Sequence, residues 1–438
     1  MEHRLEGRRV RIVTLGCRTN LSEGESLASA VEADGARLVD DASWDAAVLV
    51  SCSVTAEADR KCRQVVRRLR RERPDGIVVA CGCWAQAIDE GRAAELGVDI
   101  VVGNRRKGEI PGLLAGCLPG RPFRPVTLRG DVRNDRHWDD LPLRAPSLHT
   151  RAFLKVQDGC DHFCSYCVIP YLRGRSVSRP LAGVIEDVRS VVAAGCREIV
   201  LSGIHLGDYR DVDGTRLGGL VSRVASLEGV KRIRFGSLEP FSLDETLLSV
   251  LAATETFCRH LHLPLQSGDD RVLARMRRGH TAGAFLKLVG RVRNMLGEDI
   301  HISTDVLVGF PGETDEAFDN TLRVLDEAGI ARTHVFPFSP RAGTPAAAFS
   351  DRVPEGTVAS RVSIVRGRSE ERLAAYARRF VGRIVPILAE RSDGTSVEGL
   401  TPEYLRVEAS GTARSGSIVP VLVTGTGDEI VRGEVFLP

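Results

Sequence analysis

A net charge of only +2 over 438 residues leaves this chain without the global basic field that draws a protein onto nucleic acid. Any such contact has to come from a local patch. Lysine is scarce beside arginine, which suits phosphate contacts and also follows from genomic base composition. Long apolar runs are missing as well. No segment approaches a membrane span, and the opening MEHRLEGRRVRIVTLGC places charges where a secretory leader needs its apolar core. The expectation is a cytoplasmic protein with no membrane partner. In that reducing compartment eleven cysteines do not form a disulfide framework, and an odd number cannot pair completely within one chain. Clusters among them therefore read as metal or catalytic sites.

What is present is enough chain for two or three domains with their own cores. Residues 8–117 alternate short β-branched runs (RRVRIVTLGC, DAAVLVSCS, GIVVACGC, VDIVVGN) with charged helical stretches, the pattern of an open parallel α/β sheet. Cys17, Cys52 and Cys83 each stand where an expected strand ends, and the carboxyl ends of parallel strands share one ligand-binding edge. Residues 118–149, rich in Pro, Arg and Asp, read as a linker. A second βα series over 150–378 has about six expected strands, too few for a closed eight-stranded barrel, and predicts a partial (β/α)6 barrel with its chemistry at the strand carboxyl ends. From 380 to 438 short alternating strands and polar turns predict a small barrel of about five strands.

The sharpest motif is VQDGCDHFCSYCVIPYLRG, where Cys160, Cys164 and Cys167 are spaced C-x3-C-x2-C on the loop after the first strand of the second series. A structural zinc site needs a fourth ligand, and His162 would be cramped between Cys160 and Cys164. The other reading is a 4Fe-4S cluster on three thiolates with one iron left open. Here the sequence resembles the radical S-adenosylmethionine enzymes, whose cluster loop has this spacing with an aromatic residue, here Tyr166, before the last cysteine. With TLGCRTN, CSVTAEAD, CGCWAQ and HLPLQSG, the chain is similar over nearly its whole length to the methylthiotransferases, whose terminal barrel is the TRAM module.

That resemblance implies a tRNA-modifying transferase with two 4Fe-4S clusters, on Cys160, Cys164 and Cys167 and on Cys17, Cys52 and Cys83. It implies S-adenosylmethionine facing Tyr166, Ser202, Gly203, Glu239, Gln266 and Asp305. The hard chemistry would be carried by the cofactors, with no side chain as catalytic group, and electrons would come from a flavodoxin or ferredoxin. Cys81, two residues before Cys83, competes for the ligand role if the strand stays extended; Cys62, Cys117, Cys196 and Cys258 are expected to be ordinary core thiols. The segments AFLKVQDGCDHFCSYCVIPYLRG and THVFPFSPRAGTPAA look most like the branch acting on threonylcarbamoyladenosine beside the tRNA anticodon. Other members act on isopentenyladenosine or on an aspartate of a small-subunit ribosomal protein. A zinc-stabilised RNA-binding protein is the non-enzyme alternative.

A threonylcarbamoyl carboxylate wants a cation. Arg173 and Arg175 are candidates for it or for a neighbouring phosphate. The arginine-rich run RKCRQVVRRLRRERP reads as a phosphate-tracking face or a solvated helix surface, and Arg406 and Arg414 are too few to make a basic groove of the terminal barrel. Gly279-His280 and His205 depart from the family pattern at positions that bear on substrate choice.

Overall fold

The computed structural model describes residues 4–117, 125–146, 148–427 and 429–436. Residues 118–124 of the expected linker lie outside them. The chain divides into two compact units: Met1–Ala194 with Ser202–His205 and Ser339–Ala347, and the remainder.

In the first unit the alternating runs form a six-stranded parallel sheet in the order β2-β1-β3-β4-β5-β6. Its strands are β1 (Arg9–Thr14), β2 (Arg37–Leu38), β3 (Ala46–Ser51), β4 (Ile77–Gly82), β5 (Ile100–Val102) and β6 (Val126–Leu128). The central strands β3 and β4 are buried along their whole length, as continuous apolar runs covered on both faces require. The connecting helices are α1 (Arg18–Ala33), α2 (Ala56–Glu72), α3 (Cys83–Ala87), α4 (Glu90–Leu96) and α5 (Ile110–Cys117). Strand β6 falls inside the stretch expected to be linker. Three residues between arginines and prolines are too short to show a period, and pairing of Val101 with Thr127 makes them a strand. Strand β7 (Ala152–Asp158) pairs antiparallel with the short β8 (Val177–Ser178), and between them lies the helix α6 (Ile169–Arg173), preceded by the cysteine loop.

Helix α2 settles the arginine run. Thr55 caps it by accepting the Ala58 N–H, and only Cys62, Val66 and Leu69, spaced to one face, are buried. Arg60 pairs with Glu57, and Arg70 bonds the carbonyls of Pro74, Gly76 and Gly97 and the Asp99 carboxylate. Most of this charge run is thus a solvated or self-paired surface.

The second unit contains the parallel strands β9 (Glu198–Gly203, up to Leu201), β10 (Arg232–Phe235), β11 (His260–His262), β12 (His301–Val308) and β13 (Arg332–Pro337). Ladders join β9 to β10 and β11 to β12 to β13, and bridges at Ile233–Phe257 and Ser237–His262 carry the series from β10 to β11. These are five parallel strands of the second βα series, of which β7 is the first in sequence. The helix Glu355–Arg378 leads to a closed five-stranded barrel, β14 (Ile384–Ser392), β15 (Ser396–Leu400), β16 (Arg406–Ser410), β17 (Ile418–Thr426) and β18 (Val431–Val435), in the order β14-β15-β16-β18-β17. Closure removes the unpaired edges that so small a sheet would otherwise expose. Buried arginines fasten this barrel to the parallel strands. Arg232 donates to the carbonyls of Leu400 and Pro386 at 2.9 and 2.8 Å, and Arg234 to those of Pro402 and Thr401 at 3.0 Å each. Glu198, fully buried, forms ion pairs with both, at 3.5 and 2.7 Å. Among the described residues no helix is long and apolar enough to cross a membrane.

Candidate functional site

Strands β1, β3 and β4 end at Thr14, Ser51 and Gly82, and Cys17, Cys52 and Cys83 follow them at one edge of the sheet. Cys17 is the N-cap residue of helix α1 and Cys83 the first residue of α3, and burial raises the Cys83 thiol. The turn between Cys81 and Cys83 sends the two thiols to different surroundings. Gly82 has φ +92°, a left-handed conformation that breaks the strand alternation. Cys81 remains in the apolar core with Val50, Val79 and Val102, where burial pushes its thiol up to about 12, while Cys83 leaves that core for a cluster with Val168, Ile169 and Leu172. Gly16 lies against Cys52 so closely that an added Cβ would stand 2.6 Å from the Cys52 Cβ and 3.0 Å from its Sγ, so the space beside this thiol tolerates only glycine. Burial raises the Cys52 thiol to about 12, with Cys83 and Cys17 adding to the effect as like charges. Cys52 and Cys83 are both raised, by burial first and with the charges of neighbouring cysteines adding to it, and thiols gathered at one sheet edge in this way fit a metal cluster better than free thiolates. Cys62 belongs to the helix core instead, its Sγ donating to the Cys52 carbonyl at 3.4 Å.

The second triad follows β7. Gly159 turns the chain at φ +75°, where a Cβ would lie 2.0 Å from the Arg175 carbonyl, and Phe163 is also left-handed at φ +47°. The Cys160 N–H donates to the Gly174 carbonyl and the Cys167 N–H to the Cys164 carbonyl, each at 3.0 Å. These bonds coil the loop, and the Cys160 and Cys167 side chains are half-exposed. Ser202 is buried with its hydroxyl on the Leu154 carbonyl at 3.3 Å; the His205 N–H donates to Gln157 Oε1 at 2.6 Å, and its ring lies 4.5 Å from that of His162.

Both triads belong to the first unit, and a buried polar network that sequence reasoning did not find runs beside them. Arg173 is not available to a substrate carboxylate. Its side chain is fully buried and its donors go to Glu23, Asp158, Asn20 and Cys83. Burial alone would raise the Glu23 carboxyl, yet Arg173, Lys107 and Lys155 hold it far below the usual range. Arg175 does reach solvent, paired with Asp161 at 3.2 Å and lying over Phe163.

A cleft of about 770 Å³ in the same unit is lined by Ser53, Trp84 and Val168, the residues directly after Cys52, Cys83 and Cys167. Arg63, Arg92, Arg133, Arg341 and Tyr171 complete its polar and aromatic wall, with Asp59 the one carboxylate. Arg341 is held at 2.6 Å by Asp59 and at 2.9 Å by the Ser53 hydroxyl, whereas Arg63 and Arg133 make no ion pair among the described residues. These arginines are dispersed in sequence: Arg63 belongs to the arginine-rich run and Arg341 to the segment THVFPFSPRAGTPAA, and no local pattern announced that they share one cleft with Arg92 and Arg133.

In the second unit the expected cofactor-facing residues are differently placed. Glu239 is bound by Arg278, at 3.2 Å through Nη1. Asp305 is not at the strand end but in the middle of β12, opposite His334, with His262 Nε2 at 3.2 Å. Gln266 follows β11 in the left-handed region at φ +71°, an unusual backbone for a side chain of its size. His280 is packed beside Phe241 and Phe285, and burial lowers it to about 4, the behaviour of a core imidazole.

Residues 154–325 match the Radical SAM superfamily and residues 9–103 the Uncharacterized protein family UPF0004. The threonylcarbamoyladenosine tRNA methylthiotransferase MtaB of Bacillus subtilis is 36% identical over 96% of this chain and 95% of its own. The chain belongs to the radical SAM tRNA methylthiotransferases. Another methylthiotransferase, the tRNA-2-methylthio-N(6)-dimethylallyladenosine synthase of Novosphingobium aromaticivorans, is 34% identical over 97% of both chains. In fold, this methylthiotransferase is similar to the radical S-adenosylmethionine methyltransferase TsrM of Kitasatospora setae, with a TM-score of 0.59 and 17% identity over 79% of this chain and 77% of that one.

Proposed function

We propose that this enzyme methylthiolates N6-threonylcarbamoyladenosine beside the anticodon of tRNA, using two 4Fe-4S clusters and S-adenosylmethionine. Cys160, Cys164 and Cys167 hold one cluster, and Cys17, Cys52 and Cys83 hold the other. When bound, these groups supply the radical, sulfur and methyl chemistry, and the protein binds and orients the reactants. The observation that carries the choice of substrate is the arginine-lined cleft whose wall includes a residue directly after Cys52, Cys83 and Cys167. A threonylcarbamoyl group ends in a carboxylate, which guanidinium groups bind through charge-assisted hydrogen bonds. An isopentenyl group offers them nothing and would leave them desolvated without a partner. Arg63 and Arg133 have no ion pair to break among the described residues, and Tyr171 presents an aromatic ring for base stacking. The exposed Arg175 suits a neighbouring phosphate.

Tyr166, Ser202 and Gly203 are assigned to S-adenosylmethionine, together with Gln266 and, through the groups that bind them, Glu239 and Asp305. Electrons come from a flavodoxin or ferredoxin in the cytoplasm. The test is anaerobic reconstitution followed by reaction with tRNA bearing threonylcarbamoyladenosine or isopentenyladenosine, read by mass spectrometry of the nucleosides. A methylthio product on the first tRNA is expected. Product on the second alone sinks the assignment.

A further inference from the structure

Arg173 ends helix α6, in the same stretch of chain as the Cys160–Cys167 loop, yet its guanidinium reaches a cysteine of the other triad. Nε donates to Cys83 Sγ at 3.2 Å. Nη1 donates to Glu23 Oε1 at 2.9 Å and Asp158 Oδ1 at 3.0 Å, and Nη2 to Asn20 Oδ1 at 3.0 Å and Glu23 Oε2 at 3.1 Å. The side chain is fully buried.

The charges around it do not cancel without the thiol. Lys155 Nζ lies 3.0 Å from Glu23 and 2.9 Å from Asp158, and Lys107 Nζ lies 3.2 Å from Glu23. Two carboxylates therefore meet two buried ammonium groups before Arg173 is counted. The next buried groups, Arg105 and Asp139, are of opposite sign and engage backbone: Arg105 donates to the carbonyls of His137, Arg173 and Arg175, and Asp139 accepts the N–H groups of Lys107 and Gly108. One positive charge remains, and a buried charge without a counter-charge is strongly disfavoured. The sulfur that its Nε–H meets is that of Cys83, which is a thiolate when it ligates a cluster. Asn104 adds a second donor, with Nδ2 at 3.7 Å from Cys83 Sγ and 2.9 Å from the Leu172 carbonyl.

We infer that Arg173 is a positioning residue that serves as counter-cation and hydrogen-bond donor to the Cys83 thiolate, and so sets the reduction potential of the cluster on Cys17, Cys52 and Cys83. The inference rests on the proposal that this triad holds a cluster. A hydrogen bond to a ligating sulfur and a fixed positive charge beside it stabilise the reduced, more negative state and raise the potential. Because the carboxylates keep Lys107 and Lys155, Arg173→Met leaves the remaining buried charges balanced.

The test uses the full chain with Cys160→Ala, Cys164→Ala and Cys167→Ala, reconstituted anaerobically so that only the N-terminal triad binds iron. Iron analysis and an EPR-monitored redox titration are made on this parent, on Arg173→Met and on Arg173→Lys. About four irons per chain are expected in each. The potential should become more negative in Arg173→Met, with Arg173→Lys, which keeps the charge but loses the Nε–H donor, in between. An iron-free parent overturns the cluster assignment and this inference with it. Iron-loaded variants that titrate at the parent's potential overturn this inference alone. Should Arg173→Met bind no iron, Arg173→Lys decides: a more negative potential supports the inference and the parental value defeats it.

Discussion

Gly82 decides which of two neighbouring cysteines can leave the core. At φ +92° an L side chain is strained, and an added Cβ would stand 2.7 Å from the Ser51 carbonyl. Gly82→Ala should cost about 1–3 kcal/mol and displace Cys83, lowering both the melting temperature and the iron content to about half. Arg63 and Arg133 act at the same scale. Losing a charge-assisted hydrogen bond costs about 1.5–3 kcal/mol, so the double variant Arg63→Ala, Arg133→Ala should raise KM for threonylcarbamoylated tRNA roughly tenfold or more. If that variant keeps the parental KM, the cleft is not where the carboxylate binds. Arg173 and Arg175 show why residue type alone misleads. Two arginines separated by one glycine have opposite fates, the first buried on carboxylates and the second in solvent.

Among the elements, the joint between the five-stranded barrel and the parallel strands depends on one carboxylate. Glu198 is the shared ion-pair partner of Arg232 and Arg234, whose remaining donors hold carbonyls of the barrel strands and of the β15–β16 turn. Glu198→Ala leaves two buried guanidinium groups unpaired and should destabilise the protein by about 3–5 kcal/mol in denaturant unfolding. A loss under 1 kcal/mol would refute this. Strand β12 begins with His301, whose ring lies between those of His260 and Tyr376 at 5.2 and 5.0 Å. Burial lowers its pKa from 6.5 to about 3. The folded state therefore binds fewer protons than the unfolded one between these values, and stability falls as pH drops below about 6.5 and continues to fall until about pH 3. His301→Phe keeps the ring and removes the titration. Its stability should vary less with pH over that range, and an unchanged acid limb would show that His301 does not contribute.

For the whole molecule, the prediction is about eight irons per chain after reconstitution, falling to about four in either Cys17→Ala or Cys160→Ala. Zinc without labile sulfide would instead restore the zinc-stabilised RNA-binding alternative. The three-part architecture was legible because apolar runs, amphipathic stretches and polar turns repeat with local periods, and a local period needs no knowledge of distant contacts. The C-x3-C-x2-C loop was legible for the same reason, since its cysteines are neighbours in sequence. Strand β6 was hidden because a three-residue strand has no measurable period, and the mid-strand place of Asp305 was hidden because strand ends depend on pairing with neighbouring strands. By itself the sequence determined the element types, the cysteine motifs and the family. Only the tertiary structure decided that Arg173 meets Cys83, that Cys81 stays in the core, and that arginines from four separate segments line one cleft. Burial and charge pairing are set by residues far apart in the chain, and folding alone brings them together.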